Sequence, residues 1–169
     1  EKTYLSLQYH SNNDLSNKEG DLNIIGKYNK NKPIIFFLHG GGWEMGSSKD
    51  HADFIYNLAT ILQVFTYNYT LGKYPDSIND CFIEYKKLLS HSRRIYVIGL
   101  SSGGTLALQI ALLCKKTNIT MPKGVIAISP LTDNSLPYYK TFIDWTTESG
   151  HTKLIANYKS NVKTIDSHS

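Results

Sequence analysis

Two glycine-rich segments hold the residues best suited to chemistry in this sequence of 169 residues. One of them, GLSSGG at residues 99–104, fits the pattern G-x-S-x-G with Ser101 at its centre. A serine at a sharp turn between a strand and a helix exposes its hydroxyl if the residues two positions away on either side are small. Gly99 and Gly103 meet that condition, and the pattern predicts a nucleophilic Ser101. Taken alone, the motif fits equally a serine that caps the following helix.

The other segment, HGGGW at residues 39–43, directly follows an apolar run. Glycine leaves backbone N–H groups open to close approach, because no side chain shields them. We therefore predict an oxyanion hole formed by the N–H groups of Gly41, Gly42 and Ser102. The amide of Ser102 would belong to the first turn of a helix, where N–H groups lack partners and favour an anion. His39 is predicted to orient this loop.

A phosphate-binding loop is the nearest competing interpretation. Gly99 and Gly104 have the required spacing, but Thr105 stands where a lysine is needed and Leu106 where a serine or threonine is needed. The 18 basic and 14 acidic residues give a net charge of +4, and the bases are scattered. The sequence therefore predicts no nucleic-acid partner. No apolar run approaches the ~18 residues that a membrane span needs, and a cytoplasmic location is the default expectation. Cys81 and Cys114 are predicted to be buried thiols.

The surrounding pattern alternates between strands and helices. Runs rich in Val, Ile and Phe predict core strands, and apolar residues at helical spacing predict amphipathic helices between them. Such alternation predicts a mostly parallel sheet with helices on both faces, whose ligands lie at the carboxyl ends of the strands. The predicted strands are residues 34–38, 64–69, 94–99 and 124–129, the helices are residues 51–62, 78–89 and 102–116, and residues 4–9 and 22–28 form an N-terminal antiparallel strand pair.

Together these features resemble the α/β-hydrolase superfamily, in its hormone-sensitive-lipase-like and carboxylesterase branch. HGGGW resembles the oxyanion motif of that branch, and GLSSGG resembles its nucleophile elbow, with Leu100 and Ser102 as departures. NYTL at residues 68–71, with Tyr74-Pro75 and Asp80, resembles a further stretch of the branch in shortened form. SPLTD at residues 129–133 resembles its segment after the next strand.

The resemblance implies an α/β-hydrolase fold and a serine hydrolase that cleaves small-molecule carboxylic esters through an acyl-enzyme on Ser101. It implies no metal and no cofactor. A carbohydrate-ester deacetylase, an arylformamidase or a peptidase would use the same residues.

The acid and the base of such a mechanism are harder to place. The superfamily orders its triad as serine, acid and histidine along the chain. Asp133 is the candidate acid, and His151 or His168 is the candidate base. The strands expected to carry the family's own acid and histidine are not evident, so we expect a fold incomplete at its C-terminal end, from a fragment or a truncated product. The alternative is a non-catalytic α/β-hydrolase-like protein that binds a small ligand or a partner.

We expect one domain over residues 1–169. It would comprise the N-terminal strand pair (1–32), a catalytic core (33–133) and a tail or the start of a cap-like segment (134–169). The last predicted core strand would expose a sheet edge, which could pair with another copy of the chain.

Overall fold

A computed structural model describes residue 15 and residues 19–25, 28–72 and 74–132. Within this part of the chain, five strands form one sheet. Three α-helices and one 3-10 turn connect them. In chain order these elements are β1 (Leu22–Ile25), β2 (Ile34–Leu38), the 3-10 turn Ser48–His51, α1 (Ala52–Ala59), β3 (Gln63–Tyr67), α2 (Asp76–Leu89), β4 (Ile95–Leu100), α3 (Ser102–Lys116) and β5 (Gly124–Ile128).

The strand order in the sheet is β1-β3-β2-β4-β5. Strands β2 to β5 are parallel, and β1 runs antiparallel to β3. β2 and β4 are neighbours, with Leu38 opposite Gly99 in the register. The two glycine-rich segments therefore leave the sheet side by side at its carboxyl edge, where ligands bind in open parallel sheets.

Each face of the sheet is covered by helices, as the apolar pattern predicts. One face packs α2 and α3 against a core that includes Phe36, Phe65 and Val97. The other face packs α1 against a smaller core that includes Phe37 and Ile98. The predicted α/β class with a mostly parallel sheet is confirmed.

Several element limits differ from the predictions. The helix predicted at residues 51–62 is a 3-10 turn followed by the shorter α1. The strand predicted at 22–28 is β1, which ends at Ile25 and finds its antiparallel partner in β3. Its predicted partner, residues 4–9, lies outside the described residues.

Helix α3 is less buried than its composition suggests. Leu112 is 66% exposed, and the two lysines that close the helix are also exposed. Cys81 and Cys114 are buried free thiols, as predicted. Among the described residues, every helix is too short or too polar to cross a bilayer.

Candidate active site

Ser101 lies at the junction between β4 and α3 with its backbone in the left-handed region, at φ 52° and ψ −118°. A non-glycine residue adopts this conformation at a cost, and such strain is concentrated at functional sites. The N–H of Ser101 donates to the carbonyl of Ile128 at 2.8 Å, which ties the turn to β5. Ser101 occupies the N-cap position of α3, yet its side chain makes no capping hydrogen bond. The residue is exposed, so its hydroxyl is not committed to the helix end.

The two glycines that flank Ser101 permit this tight turn. A Cβ atom on Gly99 would overlap the backbone of Gly103, and a Cβ on Gly103 would overlap the carbonyl oxygens of Leu38 and His39. Both glycines are therefore required by the close packing of β4, α3 and β2.

The HGGGW loop lies directly against the turn. A Cβ built on Gly40 would be 3.4 Å from the Cβ of Ser101. Gly41, Gly42 and Trp43 all have positive φ, at 129°, 65° and 63°. The N–H groups of Glu44 and Met45 donate to the carbonyl of Gly41 at 3.2 and 3.1 Å, which closes the loop on itself.

His39 is fully buried at the base of the loop. Its Nδ1 donates to the carbonyl of Gly40 at 2.8 Å, and its ring stacks on that of Tyr69, with 4.2 Å between centroids. The hydroxyl of Tyr69 donates to the carbonyl of His39 at 2.8 Å and lies 3.4 Å from the hydroxyl of Ser102. Burial lowers the pKa of His39 to about 4, so the ring is neutral at physiological pH.

His51 is a site residue that no motif in the sequence predicts. It ends the 3-10 turn, and its Nε2 accepts a hydrogen bond from the N–H of Gly40 at 3.1 Å. The only sequence signal was a histidine at the start of an amphipathic segment, and that signal does not identify its partner.

Hydrogen bonds between buried polar groups hold the segment that follows the HGGGW loop. The backbone N–H and the hydroxyl of Ser48 both donate to Oδ1 of Asn68, at 2.8 and 2.7 Å. The hydroxyl of Ser48 also contacts that of Thr66. Nearby, the hydroxyl of Ser47 donates to Asp50 at 2.9 Å. These bonds fix the segment after the oxyanion loop to β3 and to the residue that follows it.

The stretch that resembles the shortened family motif is also tied down by hydrogen bonds. The hydroxyl and the N–H of Thr70 donate to Oδ2 of Asp80, at 2.5 and 3.2 Å. The hydroxyl of Ser77 donates to the carbonyl of Thr70 at 2.6 Å. Asp80 lies in α2 and therefore anchors the segment that follows β3 to this helix. This is a structural role.

The candidate acid and bases are not placed. Asp133, His151 and His168 lie outside the described residues. The hydroxyl of Thr105 donates to the carbonyl of Leu131 at 2.9 Å and accepts a hydrogen bond from the N–H of Leu131 at 3.0 Å. These two bonds fasten the segment that leads to Asp133 to the first turn of α3.

Comparisons with known proteins agree with this geometry. A family model described as the α/β hydrolase fold matches residues 35–162. An esterase of Acinetobacter venetianus is 35% identical over 111 residues, which is 61% of this chain and 37% of the esterase. Mouse hormone-sensitive lipase is 28% identical over 115 residues, which is 61% of this chain and 15% of the lipase. Among solved structures, a fungal esterase from Rhizomucor miehei superposes with a TM-score of 0.69 at 25% identity, covering 81% of this chain and 49% of the esterase.

The chain belongs to the α/β-hydrolase superfamily, in its hormone-sensitive-lipase-like and carboxylesterase branch. It spans less than half the length of each of these relatives.

Proposed function

We propose that the chain carries the nucleophile and the oxyanion hole of a serine esterase. The observation that carries the proposal is the juxtaposition of an exposed serine in a strained turn with a glycine loop that lies against it. Ser101 is the nucleophile. The N–H groups of Gly41, Gly42 and Ser102 are the donors to the oxyanion, and His39 orients their loop.

The reaction would run in two stages. The Oγ of Ser101 attacks the carbonyl carbon of an ester while a base takes its proton, and the former carbonyl oxygen becomes an oxyanion. Collapse of this intermediate expels the alcohol, which receives the proton, and leaves an acyl group on Ser101. Water then attacks the acyl group in the same way and releases the acid. We assign the base to His151 or His168 and the acid to Asp133.

The substrate class is a small ester with a short acyl group. The Acinetobacter relative is an esterase by name, and the mouse relative is a lipase. The acyl preference depends on the residues that close the pocket, which vary widely on this fold.

A fluorophosphonate probe tests the proposal, because such probes label only a serine that a base activates. The chain is incubated with the probe, and its intact mass is measured. We expect one adduct on Ser101. Ser101→Ala should abolish it, whereas Ser90→Ala, an exposed serine at the end of α2, should not.

A folded chain that forms no adduct would contradict the proposal and would favour a non-catalytic protein. An adduct that persists in Ser101→Ala would assign the chemistry to another serine.

A further inference from the structure

The backbone of Gly40 is held from two sides by histidines. Its carbonyl accepts a hydrogen bond from Nδ1 of His39 at 2.8 Å, and its N–H donates to Nε2 of His51 at 3.1 Å. These two groups belong to successive peptide planes, so the two bonds together restrict both backbone dihedrals of Gly40. A glycine would otherwise have wide conformational freedom.

This restriction reaches the oxyanion donors directly. The carbonyl of Gly40 and the N–H of Gly41 share one planar trans peptide, in which the two groups point in opposite directions. Holding the carbonyl toward His39 therefore aims the N–H of Gly41 away from it. The bond to His51 fixes the preceding peptide plane and, with it, the direction in which the loop leaves β2.

The hydrogen bond from the N–H of Gly40 also defines which ring nitrogen of His51 carries the proton. A backbone N–H can only donate, so Nε2 of His51 must be unprotonated and the ring proton must lie on Nδ1. The ring is held in place by an edge contact with Phe37, at 5.9 Å between centroids.

We propose that His51 is a positioning residue for the oxyanion loop and that it works only as a neutral imidazole with a bare Nε2. This inference rests on the proposed function, since it concerns the same site. A proton on Nε2 would place two donors face to face, and Gly40 would lose its partner. The oxyanion loop would then be correctly shaped at neutral pH and loosened in acid.

The charged groups around His51 set where this change occurs. They are His39, which directly follows β2, Lys49 and Asp50 on the same turn, and Asp53 in the first turn of α1. Burial lowers the pKa of His51, and the carboxylate of Asp50 opposes that shift. We therefore expect the loop to keep its shape to a lower pH than an ordinary histidine would allow.

Two variants separate hydrogen bonding from packing. His51→Gln keeps an acceptor oxygen but cannot titrate, whereas His51→Leu fills the space without an acceptor. His91→Leu is the matched control, because His91 follows α2 at the opposite edge of the sheet and its ring contacts Tyr28. Thermal unfolding first establishes that all three variants are folded.

The first readout is NMR of the isotope-labelled chain, which detects the ring nitrogens of His51 and the backbone amide of Gly40. We expect the spectrum of His51 to show an unprotonated Nε2 and the amide signal of Gly40 to titrate together with the His51 ring. The Gly40 signal should keep its position in His51→Gln without titrating, and it should shift in His51→Leu. A Gly40 signal that behaves identically in His51→Leu and the original chain would overturn the inference, as would a protonated Nε2 at neutral pH.

The second readout is the rate at which the fluorophosphonate labels Ser101. We expect His51→Leu to lower this rate about tenfold or more, because losing one oxyanion donor typically costs about 10²–10³ in rate. His51→Gln should be labelled at a rate close to that of the original chain. Its labelling rate should also fall less as the pH is lowered, because glutamine does not titrate. Equal rates in the two variants would overturn the inference. A chain that never reacts would refute the proposed function alone, since the NMR readout needs no reaction.

Discussion

His39 illustrates at the scale of one residue how burial sets a charge state. The ring is fully buried, and its pKa is about 4 against an ordinary value of 6.5. The unfolded chain therefore binds a proton at His39 at a higher pH than the folded chain does. Between pH 6.5 and 4 the unfolded state holds more protons, so the folded state loses stability as the pH falls.

We expect this effect of His39 to amount to about 3 kcal/mol across that window. Urea unfolding at pH 7 and at pH 4.5 measures it. His39→Asn, which keeps a donor for the carbonyl of Gly40 but does not titrate, should be less stable at pH 7 and should show a smaller loss in acid. An unchanged acid loss in His39→Asn would show that other groups cause it.

The residues of the site differ in how far the sequence predicts them. The sequence predicts the roles of Ser101 and the glycines because these residue types stand at the spacing that the turn requires. The roles of His51 and Thr105 depend on hydrogen bonds between a side chain and the backbone of a different element. No local pattern encodes such a bond, because its two ends meet only after the sheet has formed.

At the scale of elements, the packing of α3 on β2 depends on the absence of a side chain at Gly103. Gly103→Ala should destabilise the fold by about 1–3 kcal/mol, because the new Cβ would overlap the carbonyl oxygens of Leu38 and His39. The higher helix propensity of alanine, about 1 kcal/mol over glycine, would offset only part of that loss. Urea unfolding of the variant measures the difference.

Gly124→Ala is the control for this change. A Cβ on Gly124 would lie 3.1 Å from an atom of the Tyr96 ring, which is partly exposed and can move. We expect a smaller loss of stability there. Equal losses in the two variants would mean that the contact between Gly103 and β2 is not a tight one.

The sequence predicts the limits of two elements to the residue. α3 begins at Ser102 and ends at Lys116, as the sequence predicts, and β2 also matches its predicted limits. The exposed Leu112 shows why burial is harder to predict: an apolar composition does not reveal how many neighbours a helix has. α1 begins one residue after its predicted start because His51 ends a tighter 3-10 turn, in which the hydroxyl of Ser48 contacts that of Thr66 in β3.

At the scale of the whole molecule, β5 gives the sheet a distinctive edge. In the part of the chain that the structure describes, β5 has a neighbouring strand on one side only. Ile126 is 53% exposed, and Tyr96 and Ile128 on the same face are also exposed. An open strand with apolar side chains favours pairing with another strand.

We propose that this edge supports self-association of the chain. Sedimentation velocity should then show a concentration-dependent species larger than the monomer, and Ile126→Lys should shift the population toward the monomer. Ile61→Lys is the control, because Ile61 is 77% exposed and follows α1 away from β5. A compact monomer at every concentration would contradict the proposal.

The left-handed backbone of Ser101 has a consequence for how this protein can change. Glycine would adopt that backbone more easily than serine does, so the substitution that most relaxes the turn is also one that removes the hydroxyl. Stability and reactivity are therefore opposed at position 101. A lineage selected only for a robust fold would tend to lose its serine there, and its retention would be a record of selection for chemistry.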